Sequence, residues 1–347
     1  MDHRTLGVAG PVSAIGLGCM GMSGAYGPTD RADAIATVHA ALDAGITLVD
    51  TGDFYGMGHN ELLVGEAIGN RREDAVLSVK FGAQRGPDGS WQGFDARPSA
   101  VKTSLAYSLQ RLGTDYVDVY RPARLDPAVP IEDTVGAIAE CIEAGWVRHL
   151  GLSEVGADTI RRAQSVHPVA DVQIEYSLMS RGPESAILPT TRELGIAITA
   201  YGVLSRGLLS GSWSTRREFA PGDFRAHAPR FAPGNVDANL ALVEALAEVA
   251  TAIGAPVAEV AMAWVLARGE DVVPVIGART PAQLEGALRA VALELDDAQL
   301  AAIEAAVPND AVAGTRYAAP QMAGLDSERP PSAGGDRADR APGDRRG

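Results

Sequence analysis

The sequence predicts an α/β fold, a closed (β/α)8 TIM barrel, from three observations. Short apolar runs alternate with helical patterns along most of the chain. There are eight such runs, and most are continuously apolar, as strands covered on both faces should be. The chain has 347 residues, and barrels of this class run to about 250 residues or more as one domain.

The elements follow in order. The first run is Ala14–Gly18, and Thr29 or Asp30 then caps a helix that stops before Gly45. The second run is Thr47–Asp50 and the third Val76–Lys80. Pro98 and Ser99 open a helix that reaches Leu112 before Gly113. After the run Tyr116–Tyr120, Pro130 precedes the periodic set Ile131, Val135, Ile138, which ends before Gly145. His149–Ser153, Val172–Glu175, Ile196–Tyr201 and Val272–Ile276 complete the eight. Proline or a polar cap at the start and glycine at the stop is the expected helix punctuation. Strands alternating with helices imply parallel β/α units. An open dinucleotide-binding sheet would need its glycine-rich turn to run straight into a helix. GLGCMGMSG at 16–24 does not do so.

Two segments leave the rhythm. Residues 203–237 are rich in Gly, Pro and Arg with weak periodicity. A long insertion after the seventh strand is expected to be functional, because loops at the C-terminal strand ends build barrel sites. The last stretch, SERPPSAGGDRADRAPGDRRG at 327–347, has no apolar periodicity and is expected to be disordered, leaving 1–326 as a single barrel domain.

Composition narrows the function. With 46% hydrophobic and 21% charged residues the chain is globular. Thirty Lys+Arg against 44 Asp+Glu give a net charge of −14, which speaks against nucleic acid or an anionic membrane surface as partner. No apolar run approaches the ~20 residues of a membrane span. MDHRTLGVAG lacks the apolar core of a signal peptide. Two cysteines, Cys19 and Cys141, build no disulfide framework and lack metal-ligand spacing, so a reducing, cytoplasmic setting is expected.

Polar residues at strand ends of a barrel point into its mouth. Asp50 ends the second strand, Tyr55 follows in TGDFYGMGHNE, and Lys80 ends the third. An ammonium lowers the pKa of a nearby phenol, and a carboxylate holds the ammonium in place. The trio can therefore act as a general acid toward a developing alkoxide. Singly, Asp50 reads as a turn cap, Tyr55 as a loop aromatic and Lys80 as a surface lysine; the functional reading rests on all three at adjacent strand positions.

Several stretches are similar to the aldo-keto reductases: GLGCMGMSGAYG (16–27), LVDTGDFYGMGHNE (48–61), LSVKFG (77–82), RLGTDYVDVY (111–120), VPIEDTVGAIAE (129–140), GWVRHLGLSEV (145–155), QIEYSLMSR (173–181), TAYGVLSRGLLSG (199–211) and VPVIGART (273–280). The resemblance spans nearly all of residues 10–308. It implies a (β/α)8 barrel that binds NADPH in an extended pose and acts on a small-molecule carbonyl substrate. It places the catalytic groups on Asp50, Tyr55 and Lys80. It puts the carboxamide contacts of the nicotinamide on Ser153 and Gln173, and the aromatic that stacks on its ring on Tyr201. Leu204, Ser205, Arg206 and Gly207 would cover the pyrophosphate. Arg279 and Gln283 would meet the adenosine end, with Arg279 suited to a 2′-phosphate because guanidinium forks match phosphate oxygens.

The chain departs from the resemblance after the fourth strand. The family pattern YxxHRxDP reads YRPARLDP at 120–127, so Ala123 stands where a histidine would orient the carbonyl. Three readings follow. The reductase relies on Tyr55 and substrate fit; or the space is enlarged, with Arg121 or Arg124 near the oxygen; or the chain is an NADPH-binding, redox-sensing or regulatory subunit with little turnover. The retained trio argues against the third. His59, near the site in sequence, is expected on a loop surface. Glu154 stands where many members have Asn, and Ala287 where many have an adenine-contacting Asn.

Overall fold

The computed structural model describes residues 1–214, 218–220 and 223–330. Each predicted apolar run is a strand: β1 Gly16–Gly18, β2 Leu48–Gly52, β3 Val76–Phe81, β4 Val117–Pro122, β5 Val147–Ser153, β6 Val169–Glu175, β7 Ala197–Tyr201 and β8 Val272–Gly277. They close in chain order into one parallel barrel, with β8 pairing back onto β1 through Val275–Gly16 to Gly277–Gly18.

Helices pack outside the barrel. They are α1 Arg31–Asp43, α2 His59–Ile68, α3 Pro98–Leu112, α4 Ile131–Glu143, α5 Ala157–Val166, α6 Ile187–Leu194, α7 Asn235–Ile253, α8 Val257–Leu266, α9 Pro281–Val291 and α10 Asp297–Ala306, followed by the short α11 Ala319–Ala323. The punctuation works as expected. Asp30 rather than Thr29 caps α1, accepting from the amides of Ala32 and Asp33. Pro98 is the first residue of α3, and Gly113 ends it at φ +64. Among the described residues no single helix is long and apolar enough to cross a membrane. The bent pair α7–α8, broken at 84°, passes that test by length and composition only, and every residue of α8 except Ala258 is buried in the protein itself.

The barrel interior has two storeys. At its N-terminal end Leu48, Val119, Ala197, Val273 and Val275 meet Leu6 and Val12 of a hairpin formed by His3–Thr5 and Pro11–Ser13. That hairpin plugs the barrel floor. At Gly7, φ is +51 and a Cβ would lie 2.2 Å from the Ala170 carbonyl oxygen, so only glycine lets the plug seat. Above the apolar floor the inward positions turn polar: Ser78, Arg121, Asp171 and Thr199. Gly151 makes this possible, since a Cβ there would sit 2.8 Å from Asp171 Oδ1 and 3.0 Å from Arg121 Nε.

The expected boundary at residue 326 falls inside a hydrogen-bonded segment. Ser327 donates from its amide to the Glu154 carbonyl at 3.2 Å, and Glu328 accepts from Arg316. The first residues of the expected tail therefore belong to the barrel domain, and 331–347 lie outside the described residues.

Candidate active site

Register brings the trio together. Asp50 of β2 pairs with Ser78 of β3, and Gly52 with Lys80, so the acid and the lysine project from neighbouring strands into the mouth. Asp50 Oδ1 takes the Lys80 ammonium, and Oδ2 accepts from Ser78 Oγ and from Gln173 Nε2, each at 2.8 Å. Asp50 and Lys80 are 4% and 3% exposed, so this pair works in a low dielectric. Burial pushes the Lys80 pKa down against the pull of Asp50, with Arg121 adding to the fall.

The loop that carries Tyr55 is pinned at its root, where Asp53 donates its amide to the Lys80 carbonyl at 2.9 Å. Tyr55 is half-buried, with the Lys80 ammonium 5.1 Å from its ring centroid. Lysine thus faces the ring. Burial and the Asp50 carboxylate push the phenol well above its usual range, and Arg124 is the cation that opposes them. The Lys80 ammonium, expected from sequence to lower this pKa, is held on Asp50 and is not among the largest influences on the phenol. A protonated phenol at neutral pH is the form a proton donor needs.

Ser153, paired with Gln173 across β5 and β6, has a buried hydroxyl with no hydrogen-bond partner among the described residues. A buried polar atom left unpaired calls for an explanation, and a ligand amide supplies one. Ser153 and Gln173 thus fit the carboxamide of a nicotinamide.

Tyr201 ends β7, its hydroxyl donating to Glu154 Oε1 at 2.7 Å and lying 2.9 Å from the Tyr317 hydroxyl. The turn Leu204–Gly207 follows, with φ of +47 at Ser205, +57 at Arg206 and +104 at Gly207. The other described non-glycine residues at positive φ, Met57 and Glu154, also lie in loops at the barrel mouth. Such backbone costs roughly 1–3 kcal/mol per residue and collects at functional sites. The Arg206 side chain does not stand free for a ligand. It donates to Glu175 Oε2 at 2.9 Å and to the Arg316 carbonyl, and lies over the rings of Tyr317 and Phe224.

Arg279 and Gln283 follow β8, the strand next to β7. Gln283 Oε1 accepts from the Arg279 amide at 2.8 Å, while Arg279 Nη1 donates to the Tyr26 carbonyl at 3.3 Å. No carboxylate pairs with Arg279 among the described residues. The insertion after β7 arches toward the same place, with the Phe224 amide on the Ala25 carbonyl at 3.3 Å and Arg225 over the Tyr26 ring.

Two substitute donors were proposed for the missing imidazole, and the structure separates them. Arg121 is wholly buried, donating to Asp171 Oδ2 at 2.8 Å, Thr199 Oγ1 at 3.1 Å and Ser78 Oγ at 3.0 Å. It belongs to the barrel's polar storey beneath Lys80 and is spent there. Arg124 stays at the mouth. His59 is exposed, its Nδ1 2.9 Å from Ser23 Oγ, as expected of a loop surface. Ala287 is buried in α9 and serves packing.

Sequence reasoning missed the C-terminal segment altogether. Arg316 donates to both oxygens of Glu154, at 3.0 and 2.8 Å, and Tyr317 meets Tyr201 and Arg124. The one available signal was Glu154 itself, a carboxylate at a strand end with no cation near it in sequence.

The Aldo/keto reductase family model matches residues 14–308. An aldo-keto reductase of Schizosaccharomyces pombe, named with NADP(+), is 39% identical over 312 residues, covering 88% of this chain and 92% of its own length. A probable aldo-keto reductase of Glycine max is 42% identical over 310 residues, 88% of each chain. Among solved structures, the glycerol dehydrogenase AKR11B4 from Gluconobacter oxydans superposes with a TM-score of 0.79 at 29% identity, over 89% of this chain and 96% of that one.

Proposed function

Because the chain belongs to the aldo/keto reductase family, matched over residues 14–308, we propose that this NADP-dependent oxidoreductase reduces an aldehyde or ketone to an alcohol with Tyr55 as proton donor. The observation that carries the assignment is the half-buried Tyr55 beside the buried Asp50–Lys80 pair, next to the unpartnered hydroxyl of Ser153.

NADPH, when bound, supplies the hydride; the residues supply position and charge. Ser153 and Gln173 would hold the carboxamide and Tyr201 would lie against the nicotinamide ring. The Leu204–Gly207 turn would cover the pyrophosphate, and Arg279 with Gln283 would meet the adenosine end. Tyr55 gives its proton as negative charge grows on the carbonyl oxygen. The phenolate left behind faces Lys80 across its ring and Arg124 beyond it. Asp50 keeps Lys80 fixed, so no reorganisation is needed at the moment of transfer.

Ala123 sustains a second reading, a cofactor-binding subunit with little turnover, since a methyl group donates no hydrogen bond. The intact Asp50, Tyr55 and Lys80 arrangement favours turnover. A single-turnover experiment with NADPH-loaded protein and a panel of aldehydes and ketones decides. Oxidation of bound NADPH on mixing supports the reductase; tight NADPH binding with no oxidation on any compound supports the subunit. A reducing, cytoplasmic setting is consistent with Cys19 and Cys141, both free and buried.

A further inference from the structure

Arg124 follows Ala123 directly at the end of β4 and stands half-buried at the barrel mouth. Its guanidinium turns back, with Nη1 donating to the Ala123 carbonyl at 2.6 Å. Nη2 donates to the Tyr317 hydroxyl at 3.1 Å. A guanidinium carries five N–H donors, so three remain for a ligand.

The neighbouring cations are neutralised and Arg124 is not. Arg316 is paired with Glu154 and Glu328, and Arg206 and Arg230 share Glu175. Glu154, the carboxylate whose field reaches Arg124, already accepts from both Arg316 nitrogens, Tyr201, Ser327 and the Glu175 amide. Among the described residues no carboxylate forms an ion pair with Arg124. A half-buried guanidinium loses hydration, and the carboxylate whose field reaches it, Glu154, is already paired with Arg316, so an added anion would be a favourable partner. The same side chain is within electrostatic reach of Tyr55. A carboxylate on Arg124 would therefore sit close to a carbonyl presented to that phenol.

We propose that Arg124 is a specificity-determining residue that selects carbonyl compounds bearing a carboxylate, the class of oxo acids and semialdehydes, over neutral carbonyls of the same size. The proposal rests on the reductase reading above and deepens it. The planar fork suits two carboxylate oxygens.

The test compares matched pairs, 4-carboxybenzaldehyde with benzaldehyde and 4-oxobutanoate with butanal, by kcat/KM in the wild type and in Arg124→Gln and Arg124→Lys. A charge-assisted contact predicts a wild-type preference of about tenfold to a hundredfold for the acids. That ratio should collapse toward one in Arg124→Gln, mainly through KM, and survive in part in Arg124→Lys. A turnover-free readout accompanies it: calorimetric binding of benzoate to the NADP+-loaded protein, expected to weaken about tenfold or more in Arg124→Gln. Equal kcat/KM for acid and neutral members of each pair in the wild type overturns the proposal and leaves the reductase reading standing. Benzoate binding that depends on Arg124, with no turnover of any aldehyde, supports the anion site and removes the reductase reading. Benzoate binding that is absent, or unchanged in Arg124→Gln, removes the anion site.

Discussion

Glu154 and Arg316 lie 162 residues apart in sequence and form a two-pronged ion pair inside the barrel mouth, Nη1 to Oε1 at 3.0 Å and Nη2 to Oε2 at 2.8 Å. The pair ties the C-terminal segment to the end of β5, beside Tyr201 and Arg206. Burial opposes the Glu154 charge, but Arg316, with help from Arg124 and Ser327, outweighs it and holds the carboxyl far below its ordinary range. Its folded value is depressed, so the stabilisation is intact above the ordinary glutamate pKa and is lost as pH falls below it. Arg316→Met strands a buried carboxylate and should cost about 3–5 kcal/mol. Thermal unfolding at neutral pH, with protease mapping of residues 312–330, checks it: a variant that melts like the wild type and resists cleavage there contradicts the pairing. Truncation after Asp326 removes Ser327 and Glu328 from the same cluster and should lower the melting temperature as well.

Tyr55→Phe keeps the ring and removes the proton. The loss of a general acid typically costs about 10²–10⁴ in rate, and NADPH affinity should move far less. Lys80→Met leaves Asp50 buried without its cation and should be comparably damaging to turnover. Full carbonyl reduction by Tyr55→Phe in stopped-flow measurements would remove Tyr55 as donor.

Asp53, two residues before Tyr55, is pushed up to about 7 by burial and then by Glu61, while its Oδ1 has no hydrogen-bond partner among the described residues. Because the folded value lies above the ordinary 3.8, the folded protein keeps a proton that the unfolded chain releases. Stability contributed by this site therefore falls as pH rises between those two values and levels off above the upper one. Asp53→Asn carries no charge to bury. Its stability relative to wild type should improve across that window by up to about 1.4 kcal/mol per pH unit. Urea titrations from pH 5 to 8 measure this; a gap between the two proteins that stays constant with pH would show that Asp53 is ionised in the folded state throughout.

What could be read from sequence divides along a physical line. Strands and the Asp50–Lys80 pairing were legible because period and strand-end position fix which side chains enter the mouth. The caps at Asp30, Pro98 and Gly113 were legible for the same local reason. Long-range pairing was not: nothing local to Glu154 announces Arg316, and nothing in YRPAR tells Arg121, drawn inward by Asp171 and the missing Cβ of Gly151, from Arg124, left at the rim. Arg206 was read as part of the loop that covers the pyrophosphate, and no local signal showed that its side chain closes on Glu175, a partner 31 residues away.

Arg279 has no carboxylate partner among the described residues and is held only by the Tyr26 carbonyl. A 2′-phosphate is the partner proposed for it. NADPH should bind about tenfold or more tightly than NADH, the worth of one charge-assisted contact of roughly 1.5–3 kcal/mol. Arg279→Gln should narrow that gap while leaving NADH affinity near its starting value. Calorimetric titration of both nucleotides provides the comparison, and equal affinities in the wild type would place the 2′-phosphate elsewhere.

Ala123→His tests how the site works without its imidazole. Ala123 is only 2% exposed, so a larger side chain must displace a neighbour, and Arg124, which donates to the Ala123 carbonyl, is the one expected to move. Overpacking should cost about 1–3 kcal/mol in stability. In return a neutral donor appears near the carbonyl oxygen, where negative charge develops, so any gain belongs in kcat. A well-placed donor is worth up to about 10²–10³ there; a grafted one, less well supported, should give roughly tenfold on small neutral aldehydes. Carboxylate-bearing substrates should lose in the same variant, because Arg124 no longer holds its place. Opposite movements of the two substrate classes are thus expected from one substitution, and kcat and KM for a neutral and a carboxylated aldehyde measure both. Parallel gains would mean that the imidazole and Arg124 act independently. Parallel losses would mean that the methyl group at 123 is itself required for packing at the mouth.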